Sequence, residues 1–146
     1  MNVTFSGNNA VNNGGAIYNN SSNPTITNAI LWGNTASTGS QIHNAGSSSP
    51  TISFSDIQGS GSGGTNIDED PLFWRDPDPG DGDWTTLGDN DYGDLHLQVG
   101  SPAVDTGTNT DCPAFDLDGN PRPIGTSCDM GAYERLLTLF LPLILR

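Results

Sequence analysis

The chain has 146 residues, with 4 Lys and Arg together against 17 Asp and Glu, a formal net charge of −13. The length fits one domain. So acidic a chain, whose few arginines are scattered, excludes a nucleic-acid surface and an anionic-membrane surface. The charge is also segregated: residues 1–55 contain no Asp, Glu, Lys or Arg.

The neutral half is periodic. Pro24-Thr25-Ile26-Thr27 recurs as Pro50-Thr51-Ile52-Ser53, 26 residues on. Phe5-Ser6-Gly7-Asn8 matches Leu31-Trp32-Gly33-Asn34 at the same offset, and Ile57-Gln58-Gly59-Ser60 more weakly. Ile17-Tyr18-Asn19 matches Ile42-His43-Asn44 at an offset of 25, the slip expected from one residue more or less in a loop. Apolar residues fall in short clusters between Gly, Asn, Ser and Pro, and no stretch keeps a helical period. Short strands at a fixed period predict a solenoid, in which neighbouring repeats stack because none can bury its own core.

In a parallel β-solenoid equivalent residues stack at about 4.8 Å. Phe5, Leu31 and Ile57 then form an interior ladder, Val3 stacks on Ala29, Ile26 on Ile52, and Asn8 on Asn34 through amide hydrogen bonds. Like charges stacked this closely repel, which accounts for the missing charge. The predicted fold class is all-β: a parallel β-solenoid of few coils with an irregular C-terminal elaboration. Coils of about 26 residues occupy 1–67, an acidic loop-rich part packed on the solenoid 68–135, and an apolar tail 136–146.

Beyond Ile57 the rhythm fades. Gly59-Ser60-Gly61-Ser62-Gly63-Gly64 satisfies GxGxxG, but the residues after it do not form the helix that a dinucleotide site requires, so it reads as a turn. Residues 68–94 carry ten acids against Arg75. Asp76, Asp78, Asp81 and Asp83 alternate with Pro and Gly and are candidate calcium ligands, with a solvated acidic loop as the alternative. Asp116-x-Asp118-Gly119-Asn120 is a fragment of a calcium loop without its closing Glu. Leu95-His96-Leu97 alternates as a late strand, and Asp105 reads as a turn or cap residue. Cys112 and Cys128 lack zinc-ligand spacing and are expected to form a disulfide in an extracellular setting, two free thiols being the alternative. Residues 136–145 are apolar but too short for a membrane span; they are expected to cover the end of the stack or to precede a processed terminus. The start shows no signal-peptide pattern, so the chain reads as the C-terminal piece of a longer secreted protein.

Phe5-Ser6-Gly7-Asn8 and Gly14-Gly15-Ala16-Ile17 resemble the FxxN and GGA[ILV] motifs of polymorphic outer-membrane protein repeats. The later segments Asp68-Glu69-Asp70-Pro71-Leu72-Phe73, Leu95-His96-Leu97-Gln98 followed by Gly100-Ser101-Pro102-Ala103-Val104-Asp105, Asp116-Leu117-Asp118-Gly119-Asn120-Pro121-Arg122-Pro123 and Asp129-Met130-Gly131-Ala132-Tyr133-Glu134 resemble the C-terminal region of bacterial right-handed β-helix repeat surface proteins of the choice-of-anchor type. The resemblance implies that fold and a secreted or cell-surface location. It implies no single activity and supplies no catalytic residues.

The residues themselves favour a module without catalysis. Glycoside hydrolysis needs two flanking carboxylates, and the repeats hold none before Asp56. Asp68, Glu69 and Asp70 are acid candidates by composition alone, and no GxSxG accompanies either His. The expected function is adhesion, or binding of glycans or surface proteins, with Tyr18 and Trp32 as candidate contacts. No cofactor is expected unless calcium occupies the acidic loop. Self-association through open solenoid ends is a further expectation. A remnant of a polysaccharide lyase or hydrolase and a structural spacer are the alternatives.

Overall fold

The structure, a computed structural model, describes residues 1–136; the tail expected to cover the stack lies, from residue 137 on, outside the described residues. Among these the chain is all-β, without a helix. The first repeat supplies β1 (Thr4–Ser6), β2 (Asn9–Asn13), β3 (Ile17–Asn20) and β4 (Thr25–Thr27). The second supplies β5 (Ile30–Trp32), β6 (Thr35–Thr38), β7 (Ile42–Ala45) and β8 (Thr51–Ser53), and β9 (Asp56–Ile57) begins a third. Each strand pairs in parallel with its equivalent: β1 with β5 and β5 with β9, β2 with β6, β3 with β7, β4 with β8.

The register follows the sequence repeat. Phe5 pairs with Leu31 and Leu31 with Ile57; Ile26 pairs with Ile52, and Ile17 with Ile42. The one-residue slip is an irregularity in the β2–β6 pair, between Ala10 and Asn13. The corners repeat as well. Gly7, Gly33 and Gly59 all have φ between 68° and 76°, a left-handed turn that glycine adopts without steric cost. Asn2, Asn28 and Phe54 occupy a second left-handed corner, at φ 51°, 52° and 49°. Asn tolerates that region, whereas it strains Phe. Amide ladders run along the stack: Asn8 Nδ2 donates to Asn34 Oδ1 at 2.8 Å, and Asn19 Nδ2 to Asn44 Oδ1 at 2.8 Å.

Side chains alternate across the β1-β5-β9 sheet, and two apolar clusters lie on its two faces. Leu31 and Ile57 bury with Ile26 and Ala29, flanked by Val3, Phe5, Ala16, Ile17, Ile42 and Ile52. On the opposite face Ile30 is covered by Phe73, Leu97, Ala103 and Met130, with Trp32 packed beside them. Cover on both faces explains why Ile30-Leu31-Trp32 is an unbroken apolar run rather than an alternating one.

The covering layer is the acidic half. Its β10 (Phe73–Arg75) and β11 (Asp94–Leu97) pair antiparallel, Phe73 opposite Leu97. Asn28, fully buried, stitches this layer to the repeats: Asn28 Nδ2 donates to Thr108 O and Thr108 N donates to Asn28 Oδ1, both at 2.8 Å. The Cys112–Cys128 disulfide is formed. Arg122 and Glu134, both side chains 1% exposed, face each other at 3.3 Å. Burial lowers the Arg122 pKa against the pull of Glu134, Asp116 and Asp129. Glu134 also accepts from Asp129 N and Ile124 N, so its two oxygens tie three segments together. Asp105 has the expected cap role, with its Oδ1 accepting from Thr126 N and from Ser127 N.

Candidate functional site

Alternation along β11 turns Leu95 and Leu97 toward the apolar layer and places Asp94 and His96 on the other face. There Asp94 Oδ1 meets His96 Nδ1 at 2.5 Å, and Asp118 Oδ2 meets His96 Nε2 at 2.7 Å. Asp118 is delivered by a tight loop that Asp116 organises. Asp116 Oδ1 accepts from Asp118 N and Asn120 N, and its Oδ2 from Asn120 Nδ2 and Glu134 N. These donors hold the Asp116 pKa below its ordinary value although burial acts to raise it. The Tyr133 ring stacks on His96, with centroids 4.1 Å apart.

The electrostatics of this clasp favour an imidazolium. Burial acts to lower the His96 pKa, but hydrogen bonds and charge from Asp118 and Asp94 outweigh it and leave the pKa above the ordinary 6.5. The His96 hydrogen bonds in turn hold Asp94 below the usual carboxylate value. Burial, with Asp118, Asp94 and Asp116 nearby, raises the Tyr133 hydroxyl. A cation on an aromatic face is itself favourable.

Beside the clasp opens a cavity of about 370 Å³, lined by Trp74, Asp94, His96, Asp118, Asn120 and Arg135 among others. Trp74 stands at its rim and is 67% exposed, while its neighbour Phe73 is buried and anchors the strand. Among the described residues the lining contains no Ser, Thr or Cys, and both ring nitrogens of His96 are taken by carboxylates. Nucleophilic or general-base chemistry at His96 would require the clasp to break. No family model, curated protein or solved structure matches this chain.

The residues singled out from sequence lie elsewhere. Tyr18 is exposed on β3 and stacks on its register partner His43, with ring centroids 5.5 Å apart. Trp32 is half-buried against the Ile30 cluster and joins the repeats to the covering layer. Asp78, Asp81 and Asp83 accept from the backbone N–H groups of Gly80, Asp83 and Thr85, each two residues on, the local turn bond typical of Asp in loops. Asp76 is exposed in the same loop, with its pKa raised by burial and Asp70. Among the described residues no group of three or more His, Cys, Asp or Glu is arranged to hold a metal ion. Asp68 has a structural use: its carboxylate accepts from Gly59 N at 3.0 Å and Gly61 N at 2.7 Å. The glycine-rich turn thus cradles an anion, but one supplied by the chain itself.

The β11 alternation and the Asp116-x-Asp118-Gly119-Asn120 loop are each visible in the sequence, but nothing in their spacing joins them. Trp74 carried no signal beyond being an aromatic in a polar stretch.

Proposed function

We propose that this chain is a right-handed parallel β-helix module of a secreted or cell-surface protein of the bacterial β-helix repeat kind, and that it works by adhesion to glycans or surface proteins rather than by catalysis. Parallel pairing at offsets of 25 and 26 supports stacked coils, and parallel crossover connections in one sheet are right-handed in nearly every known case. The disulfide supports an oxidising compartment. Among the described residues no helix is long and apolar enough to cross a membrane. The observation that carries binding over chemistry is the cavity itself, an exposed Trp beside a histidine whose two nitrogens are both engaged.

The test combines a glycan array and retention on bacterial cell surfaces with reducing-sugar and unsaturated-product assays on polysaccharides, with and without calcium. Retention without turnover is expected. Empty arrays together with no cell-surface retention overturn the reading, and so does measurable turnover.

A further inference from the structure

We infer that the cavity beside the His96 clasp is a binding site for an uncharged saccharide, with Trp74 as its stacking platform and Asp94 and Asp118 as its hydroxyl acceptors. The assignment rests on the binding-module reading and names the ligand class and the residues that carry it.

Three observations converge. The first is Trp74: its indole is largely exposed at the cavity rim, yet its strand is fixed by buried Phe73 and by pairing with β11. A solvated indole on an anchored strand offers a flat apolar surface with a polar edge. The matching ligand is amphipathic and ring-shaped, with an apolar C–H face and polar hydroxyl edges, which is the shape of a pyranose.

The second observation is the carboxylate pair. Each gives one oxygen to His96, namely Asp94 Oδ1 and Asp118 Oδ2. Their other oxygens, Asp94 Oδ2 and Asp118 Oδ1, make no hydrogen bond to the described residues. A carboxylate accepts a hydroxyl proton in a short, strong bond. The clasp already holds both groups in place, so little ordering cost remains when a ligand arrives. The Asn120 side-chain amide donates to Asp116, which fixes its carbonyl as another acceptor in the lining.

The third observation is charge. Three carboxylates line the cavity, those of Asp94, Asp118 and Glu134, against Arg135 and His96, so the cavity carries no surplus cation for an acidic sugar. The whole chain, at a formal net charge of −13, repels one. The volume lies at the lower end of the roughly 300–1,000 Å³ usual for small-molecule sites, which suits part of an oligosaccharide chain.

The experiment uses the full chain in titration calorimetry and tryptophan fluorescence with three neutral hexasaccharides (cellohexaose, mannohexaose and xylohexaose) and one anionic oligogalacturonate. At least one neutral sugar is expected to bind, with weaker or no binding of the oligogalacturonate. Trp74→Ala should weaken binding at least about tenfold, Trp74→Phe should retain part of it, and Asp118→Asn should weaken it. Trp74 is exposed, so its variants should keep the wild-type thermal midpoint. Neutral-sugar binding unchanged in Trp74→Ala overturns the site, and tighter binding of the oligogalacturonate overturns the ligand class. If none of these sugars binds while cell-surface retention persists in Trp74→Ala, this inference falls and the binding-module reading stands.

Discussion

Asp56 is the most exacting test of how the two halves meet. It follows Thr4 and Ile30 in the ladder on the covered face of the β1-β5-β9 sheet and is fully buried. Its Oδ1 accepts from Glu69 N at 3.3 Å, and its Oδ2 has no partner among the described residues. Burial, with repulsion from Asp68, Glu69 and Asp70, outweighs the Glu69 bond and raises its pKa from 3.8 to about 7. The folded state therefore holds this proton more tightly than the unfolded state does. The stability this contributes is complete below about pH 3.8 and is lost as pH rises through about 7. At about 1.4 kcal/mol for each tenfold in proton affinity, the loss amounts to about 4 kcal/mol, an upper bound because the site can relax.

Asp56→Asn removes the titration and keeps the shape. The new amide nitrogen is still unpartnered, at a cost of about 1–3 kcal/mol that does not vary with pH. Urea unfolding of both proteins from pH 4 to pH 8 isolates the effect, because other titrating groups, such as buried Asp129 at about 6, cancel in the difference. The variant should gain on the wild type by up to about 4 kcal/mol across that range. A wild-type-to-variant difference that stays flat with pH would refute a buried carboxyl at this interface.

Leu31 is fully buried at the centre of the Phe5, Leu31, Ile57 ladder; Leu31→Ala should cost about 2–5 kcal/mol in chemical denaturation, and a loss below about 1 kcal/mol would argue against the ladder. Reducing the Cys112–Cys128 disulfide, with a sequence separation of 16, should lower stability by about 3 kcal/mol in the chain-entropy account; finding free thiols in the oxidised protein would contradict the pairing. The His96 ring should titrate above 6.5 by NMR, and should fall toward that value in Asp118→Asn. Because the folded pKa is the higher one, the clasp contributes fully below about pH 6.5 and loses its contribution as pH rises through the folded value. The pair is partly exposed, so the effect on overall stability should stay within about 1 kcal/mol.

Much of the repeat half was written in the sequence. A ladder is a translational repeat, so residues that stack are residues that recur, and the offset of 26 alone named Phe5 with Leu31 and Ile26 with Ile52. The absence of charge before Asp56 carried the same message, since stacked strands bring like residues face to face. Even the drop to an offset of 25 was visible, although only the register located it in the β2–β6 pair.

The covering half obeyed no such symmetry. His96 and Asp118 lie 22 residues apart, and their meeting depends on how one strand and one Asp-capped loop settle on the outer face of the repeats. Asp68 filling the glycine-rich turn, Glu134 neutralising buried Arg122, and Trp32 packing inward were likewise decided by tertiary structure. Composition supplied these side chains, but pair contacts between unrelated segments leave no period to read. The sequence by itself determined which residues stack; only the folded layer determined which polar groups come together around the cavity, because burial there depends on contacts that occur once.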